Sequence, residues 1–169
     1  MPDAPRSRHG HGPHVRVAGS EKCEREFSLI AELSLATFMV TLTVLIHGIG
    51  LIVLARFLRL ELRPDTAAHA HPTSIGQLVV LLFAILALIG LHGIEIWSYA
   101  TLYLLIGAVA DLREAVYFST ITYGAIGYDD DSMAESWRLV SAIEGINGII
   151  MIGWSTAFLI RIVGLLRRV

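Results

Sequence analysis

Apolar and polar residues fall into long separate blocks along this chain instead of alternating finely. From Phe27 to Ala55 the sequence is nearly continuous apolar residue, interrupted by Glu32, a few Ser and Thr, and His47. A helix needs about 20 apolar residues to cross the hydrocarbon of a bilayer, so this block predicts a spanning helix with room to tilt. It closes on Arg56, Arg59 and Arg63, with Pro64 as a stop, which places the first helix over 27–63. A short polar connection, "PDTAAHAHPTS", leads to a second apolar block, predicted as a helix over 75–110. A third block predicts a helix over 136–166, and no internal repeat is visible.

Between the second and third blocks lies "DLREAVYFSTITYGAIGYDDDSMAES". Asp111 and Glu114 carry the D-x-x-E spacing of a capping box, so a helix starts at Asp111. From Leu112 to Thr122 that helix is ~16 Å long, too short to cross a membrane. The glycines of "YGAIGY" end it, and Asp129, Asp130 and Asp131 return the chain to water. Irregular backbone at membrane depth is tolerated where it is buried in protein or lines a wet cavity. Residues 111–131 therefore read as a re-entrant helix and loop. The expected fold is all-α, with three transmembrane helices and this half-crossing element.

Composition supports a membrane chain: 54% of its 169 residues are hydrophobic, 17% are charged, and the mean hydropathy is +0.64. A net charge of −2 offers nothing to a nucleic acid, and the single cysteine, Cys23, cannot form an intrachain disulfide. Residues 1–26, rich in Pro, Gly, His and charge, are expected to be a disordered polar tail and not a cleavable signal peptide. "HGHGPH" offers imidazoles to a transition metal, but no fixed geometry holds those rings. No nucleophile, general base or closed metal site points to an enzyme, and no small-molecule substrate is expected.

The stretch Ala125-Ile126-Gly127-Tyr128-Asp129-Asp130, with a capped short helix before it and a spanning helix on each side, resembles the pore loop of the potassium-channel superfamily. Tyr117 and Phe118 stand where that family often carries an aromatic pair around its filter. More narrowly, the chain is similar to small bacterial proteins labelled as ion channels that have one additional N-terminal span. The resemblance covers roughly Gln77 to the C-terminus. It implies a homotetramer in the lipid bilayer, since one chain supplies a quarter of a ring of carbonyl ligands. It implies a selectivity filter over Ala125, Ile126, Gly127, Tyr128 and Asp129, supported by Tyr117, Phe118 and Thr122, with Asp130 and Asp131 at the outer mouth. No cofactor or metal is implied beyond potassium or other permeating cations. Gly127 suits the positive φ that aiming successive carbonyls at one axis requires. Ala125 departs from the family's threonine and Asp129 from its second glycine. A carboxylate ring at the mouth implies divalent binding or relaxed selectivity.

Ionisable groups within the spans are candidates for function, because burying each costs free energy in lipid. His92, Glu95, Glu144 and Asn147 are expected to form one polar cluster behind the filter, either tuning conduction with pH or bonding helices together. Gly145, Gly148 and Gly153 are candidate hinges of the inner helix or close-packing contacts. Basic residues flank the 56–74 connection and the C-terminus, which places both in the cytoplasm of a cell inner membrane and the pore mouth outside. Two other readings stay open. One is a non-conducting accessory or sensor subunit with channel architecture. The other is a b-type cytochrome that holds haem between His47 and His92.

Overall fold

The computed structural model describes residues 18–61, 74–127 and 133–166. They form four α-helices, α1 (Ala18–Glu61), α2 (Ser74–Leu105), α3 (Leu112–Tyr123) and α4 (Arg138–Leu166), with a single 3-10 turn, Glu135–Trp137, leading into α4. Three of these helices are long and apolar enough to cross a membrane: within Leu29–Leu58, Ile75–Leu105 and Arg138–Leu166. The chain is an all-helical, multi-pass membrane protein, and no strand occurs among the described residues.

Helix boundaries differ from expectation in two places. α1 begins at Ala18, so residues 18–26 are helical and do not belong to a disordered tail. "AGSEKCERE" contains no proline and several good helix formers, and a spanning helix already nucleated downstream propagates through it at little cost. α2 ends at Leu105, not at 110. Gly107 takes φ +67 there, and its neighbour Ala108 donates its backbone N–H back to Tyr103 O at 2.9 Å. A left-handed glycine with a returning N–H is a common way to end a helix.

α3 starts where the capping box placed it. The Asp111 side chain accepts from the Glu114 N–H at 3.0 Å. Its twelve residues span ~18 Å, and it descends between α2 and α4. The hydroxyl of its last residue, Tyr123, reaches His92 and Glu95. These lie 13 and 10 residues before the end of α2, so α3 penetrates ~15–20 Å below that end before the chain returns to α4. The helix is re-entrant.

Two apolar clusters hold the helices together, at opposite ends. One surrounds α3 and joins Met39, Tyr99, Tyr103, Ala115, Phe118 and Val140. The other, below α3, is an aliphatic contact of α1, α2 and α4 through Leu51, Leu54, Leu58, Leu88, Ile162 and Leu166. Between and beside them lies a set of buried polar residues: Thr43, His47, Glu95, Ser119, Glu144, Asn147 and Ser155.

Candidate functional site: a re-entrant loop backed by a polar layer

α3 ends in a Schellman arrangement built from its own sequence. Ile126 N–H donates to Ile121 O at 2.8 Å, and Ala125 N–H to Thr122 O at 2.9 Å. That motif requires a left-handed residue at the first position past the cap. Ala125 takes it, with φ 55, where glycine is the usual occupant. Gly127 follows with φ +49, the positive φ expected from its sequence position. The backbone from Gly124 to Gly127 is exposed in the single chain, and Ile126 is 58% exposed. An open cleft of about 400 Å³ runs beside it, lined by Phe118, Thr122, Ala125, Gly127, Ser141 and Gly145, among others. Tyr128, Asp129, Asp130 and Asp131 lie outside the described residues.

The aromatic pair divides. Phe118 is buried and meets the Tyr103 ring edge-on at 5.8 Å, whereas Tyr117 is 46% exposed. Thr122 lies against α4: a Cβ on Gly145 would sit 3.3 Å from its carbonyl oxygen. Gly148 is tighter still, since a Cβ there would come within 2.1 Å of Tyr123 O. These two glycines let α4 approach the backbone end of α3. Gly153 has open space around it.

The expected polar cluster separates into three knots. Glu144 accepts from Tyr103 and from Ser119, each at 2.5 Å, and the Ser119 hydroxyl also lies 3.0 Å from Ile96 O. Asn147 donates to Thr43 at 2.8 Å and lies 3.4 Å from the Tyr99 hydroxyl. Glu95 belongs to a third group. Its Oε1 is 2.9 Å from His47 Nδ1, and its Oε2 accepts from Tyr123 and lies 3.3 Å from His92 Nδ1. His92 and Glu95 thus meet as expected, but neither hydrogen-bonds to Glu144 or Asn147. Among the described residues, every buried side-chain polar atom has a partner. In lipid, bonds of this kind between helices replace the hydrophobic drive that water would supply.

Sequence reasoning missed Tyr99, Tyr103, Ser119, Tyr123, Thr43 and Ser155. The signal was present in part: hydroxyl-bearing residues inside apolar blocks are the partners an intramembrane acid requires. The haem arrangement does not fit His47 and His92. Their ring centroids are 5.2 Å apart, both ring nitrogens of His47 already face Glu95 and Ser155, and Trp154 covers the same ring at 5.3 Å. No open face remains between the two imidazoles for a macrocycle.

A capped half-crossing helix between two spans, followed by left-handed backbone at its inner end, is the geometry of a pore loop. The family model described as "Ion channel" matches residues 91–164, from the middle of α2 through α3 and the loop into α4. Residues 91–164 are thus similar to an ion-channel domain. This agrees with the resemblance to the potassium-channel pore and is a match to a channel family, not to an enzyme. α1 stands outside the matched segment, yet it supplies His47 and Thr43 to the polar layer behind it. No curated protein and no solved structure matches the chain significantly.

Proposed function

We propose that four copies of this chain surround one axis and conduct monovalent cations, potassium foremost, through a filter over Ala125, Ile126, Gly127, Tyr128 and Asp129. The observation that carries this reading is the exposed, irregular backbone of Gly124–Gly127 at the inner end of α3. Such backbone does not face lipid; it faces protein or water, and a single chain provides neither on that side. Copies of the same chain around an axis would cover it and complete a ring of carbonyls that replaces an ion's hydration shell. The C-terminal end of α3 adds partial negative charge on the cavity side. Asp129 and Asp130 would collect cations at the mouth, which faces outward from a bacterial inner membrane with the C-terminus in the cytoplasm. Ala125 in place of threonine removes a ring of hydroxyl ligands, and Asp129 in place of glycine favours relaxed selectivity or divalent binding.

Flux into liposomes carrying the purified protein, with potassium, sodium and calcium gradients applied separately, tests this reading. Potassium flux that excludes sodium supports a carbonyl cage. Flux of all three, reduced by Asp129→Gly, makes the carboxylates the selective element. Absence of flux under every gradient, voltage and pH removes conduction and leaves a non-conducting subunit with channel architecture. Mass determination in detergent tests the tetramer separately.

A further inference from the structure

Of seven histidines in the sequence, His47 and His92 are the two within the spans, and they meet across α1 and α2 at one carboxylate. The donor atoms of His47, His92 and Glu95 all lie within 4.8 Å of one another. The Tyr123 oxygen joins them, 3.0 Å from His92 Nδ1 and bonded to Glu95 Oε2. These groups are linked by hydrogen bonds through the Glu95 carboxylate. His92 Nδ1, Tyr123 Oη and Glu95 Oε2 are mutually within hydrogen-bond distance, a closed triangle of donors and acceptors.

We propose that this cluster is a binding site for a borderline divalent transition-metal ion such as Zn²⁺, with His47 Nδ1, His92 Nδ1 and a Glu95 oxygen as ligands and Tyr123 Oη as the fourth donor. Two imidazoles and a carboxylate select such an ion over the alkali cations, which take larger shells of oxygen. Metal–ligand bonds of ~2.0–2.1 Å in a tetrahedron put donors ~3.3 Å apart. The separations of 2.9, 3.0 and 3.3 Å lie at or just below that edge and the His47, His92 and Glu95 donors all stay within 4.8 Å of one another, so small side-chain rotations would close the shell. The outer shell is also in place. Ser155 Oγ lies 3.3 Å from His47 Nε2. With the proton at Nε2 donated to Ser155, the Nδ1 lone pair is available to a metal ion that Glu95 also ligates. The His92 side chain is 18% exposed, which leaves an edge for exchange, whereas His47 and Glu95 are fully buried.

The site lies behind the loop, not on it. Tyr123 ends α3 two residues before Ala125, so one ion would fasten α1 and α2 to the base of the loop. Metal binding here stands apart from conduction and is measured without it.

The test uses the full chain in detergent, with His9, His11, His14, His69 and His71 changed to Gln and Cys23→Ser, so that His47 and His92 are the remaining imidazoles. Equilibrium dialysis against Zn²⁺ should retain one ion per chain. X-ray absorption of that parent should show a four-coordinate N/O shell at ~2.0–2.1 Å with two imidazoles. His47→Gln and His92→Gln should each remove the bound ion, and Ser155→Ala should weaken it by ~10–100-fold. Zn²⁺ that is not retained overturns the proposal. So does Zn²⁺ retained equally by both histidine variants, or a shell without imidazole. The absorption measurement needs no span variant, so it decides the question even if a histidine variant fails to fold.

Discussion

The two ends of the helix bundle are built from different chemistry. Below α3, α1, α2 and α4 meet through leucine and isoleucine, with Gln77 at the edge donating to Leu166 O at 3.2 Å. Around α3 the same three helices meet through tyrosine, serine, asparagine, two carboxylates and a histidine pair. The aliphatic end only has to keep three helices together, and lipid tails compete there with packing of equal apolarity. The other end must hold a short helix at half depth, with its last turn and the loop beyond it in fixed register. Non-directional packing cannot fix a register; hydrogen bonds can, and glycines set how closely the backbones approach.

That contrast is broken most severely at Gly148. Gly148→Val places side-chain carbon against the Tyr123 carbonyl, backbone that has no rotamer to escape through. The expected result is a loss of ~3 kcal/mol or more in detergent unfolding, with flux abolished. Gly153→Ala, in open space on the same helix, should leave both unchanged or slightly raise stability. If Gly148→Val were tolerated as well, the close contact with α3 would be wrong.

Next in size is Glu144→Leu. It leaves the Tyr103 hydroxyl without its acceptor, at about 1–3 kcal/mol, and loosens α3 by removing the Ser119 bond to α4, although Ser119 keeps Ile96 O. Leu88→Ala at the aliphatic end should cost less than the ~2–5 kcal/mol typical of a water-soluble core, because lipid is already apolar, and should leave ion selectivity unchanged. Equal effects of the two on selectivity would erase the distinction between the ends.

A smaller effect is expected at Ala125. Ala125→Gly relieves a left-handed alanine and should stabilise the loop by ~1 kcal/mol, whereas Ala125→Thr puts a β-branched side chain at positive φ and should destabilise it by more than that. Restoring the potassium-channel threonine therefore should not improve this loop; paired unfolding curves of the two variants decide it. The smallest effect is a coupling of ~0.6 kcal/mol between Thr43→Val and Asn147→Leu, measured as a double-mutant cycle. A coupling of zero would mean that the Thr43–Asn147 bond adds nothing to the packing of α1 against α4.

The linear order of residues determined the parts list. Unbroken apolar length made three spans, because only a helix satisfies its own backbone in lipid. The Asp111–Glu114 spacing fixed where the short helix begins, and its twelve residues ruled out a crossing. Gly127 was marked for positive φ by its place in the loop. Tertiary structure decided which faces meet. A helix that is apolar on nearly every side carries little information about its rotation, so nothing in the sequence pairs His47 with Glu95, 48 residues away, or Asn147 with Thr43, 104 away. Those pairings arise because buried polar atoms in lipid have no water to fall back on. The helices turn until each such atom has a partner, and that requirement split the expected single cluster into three.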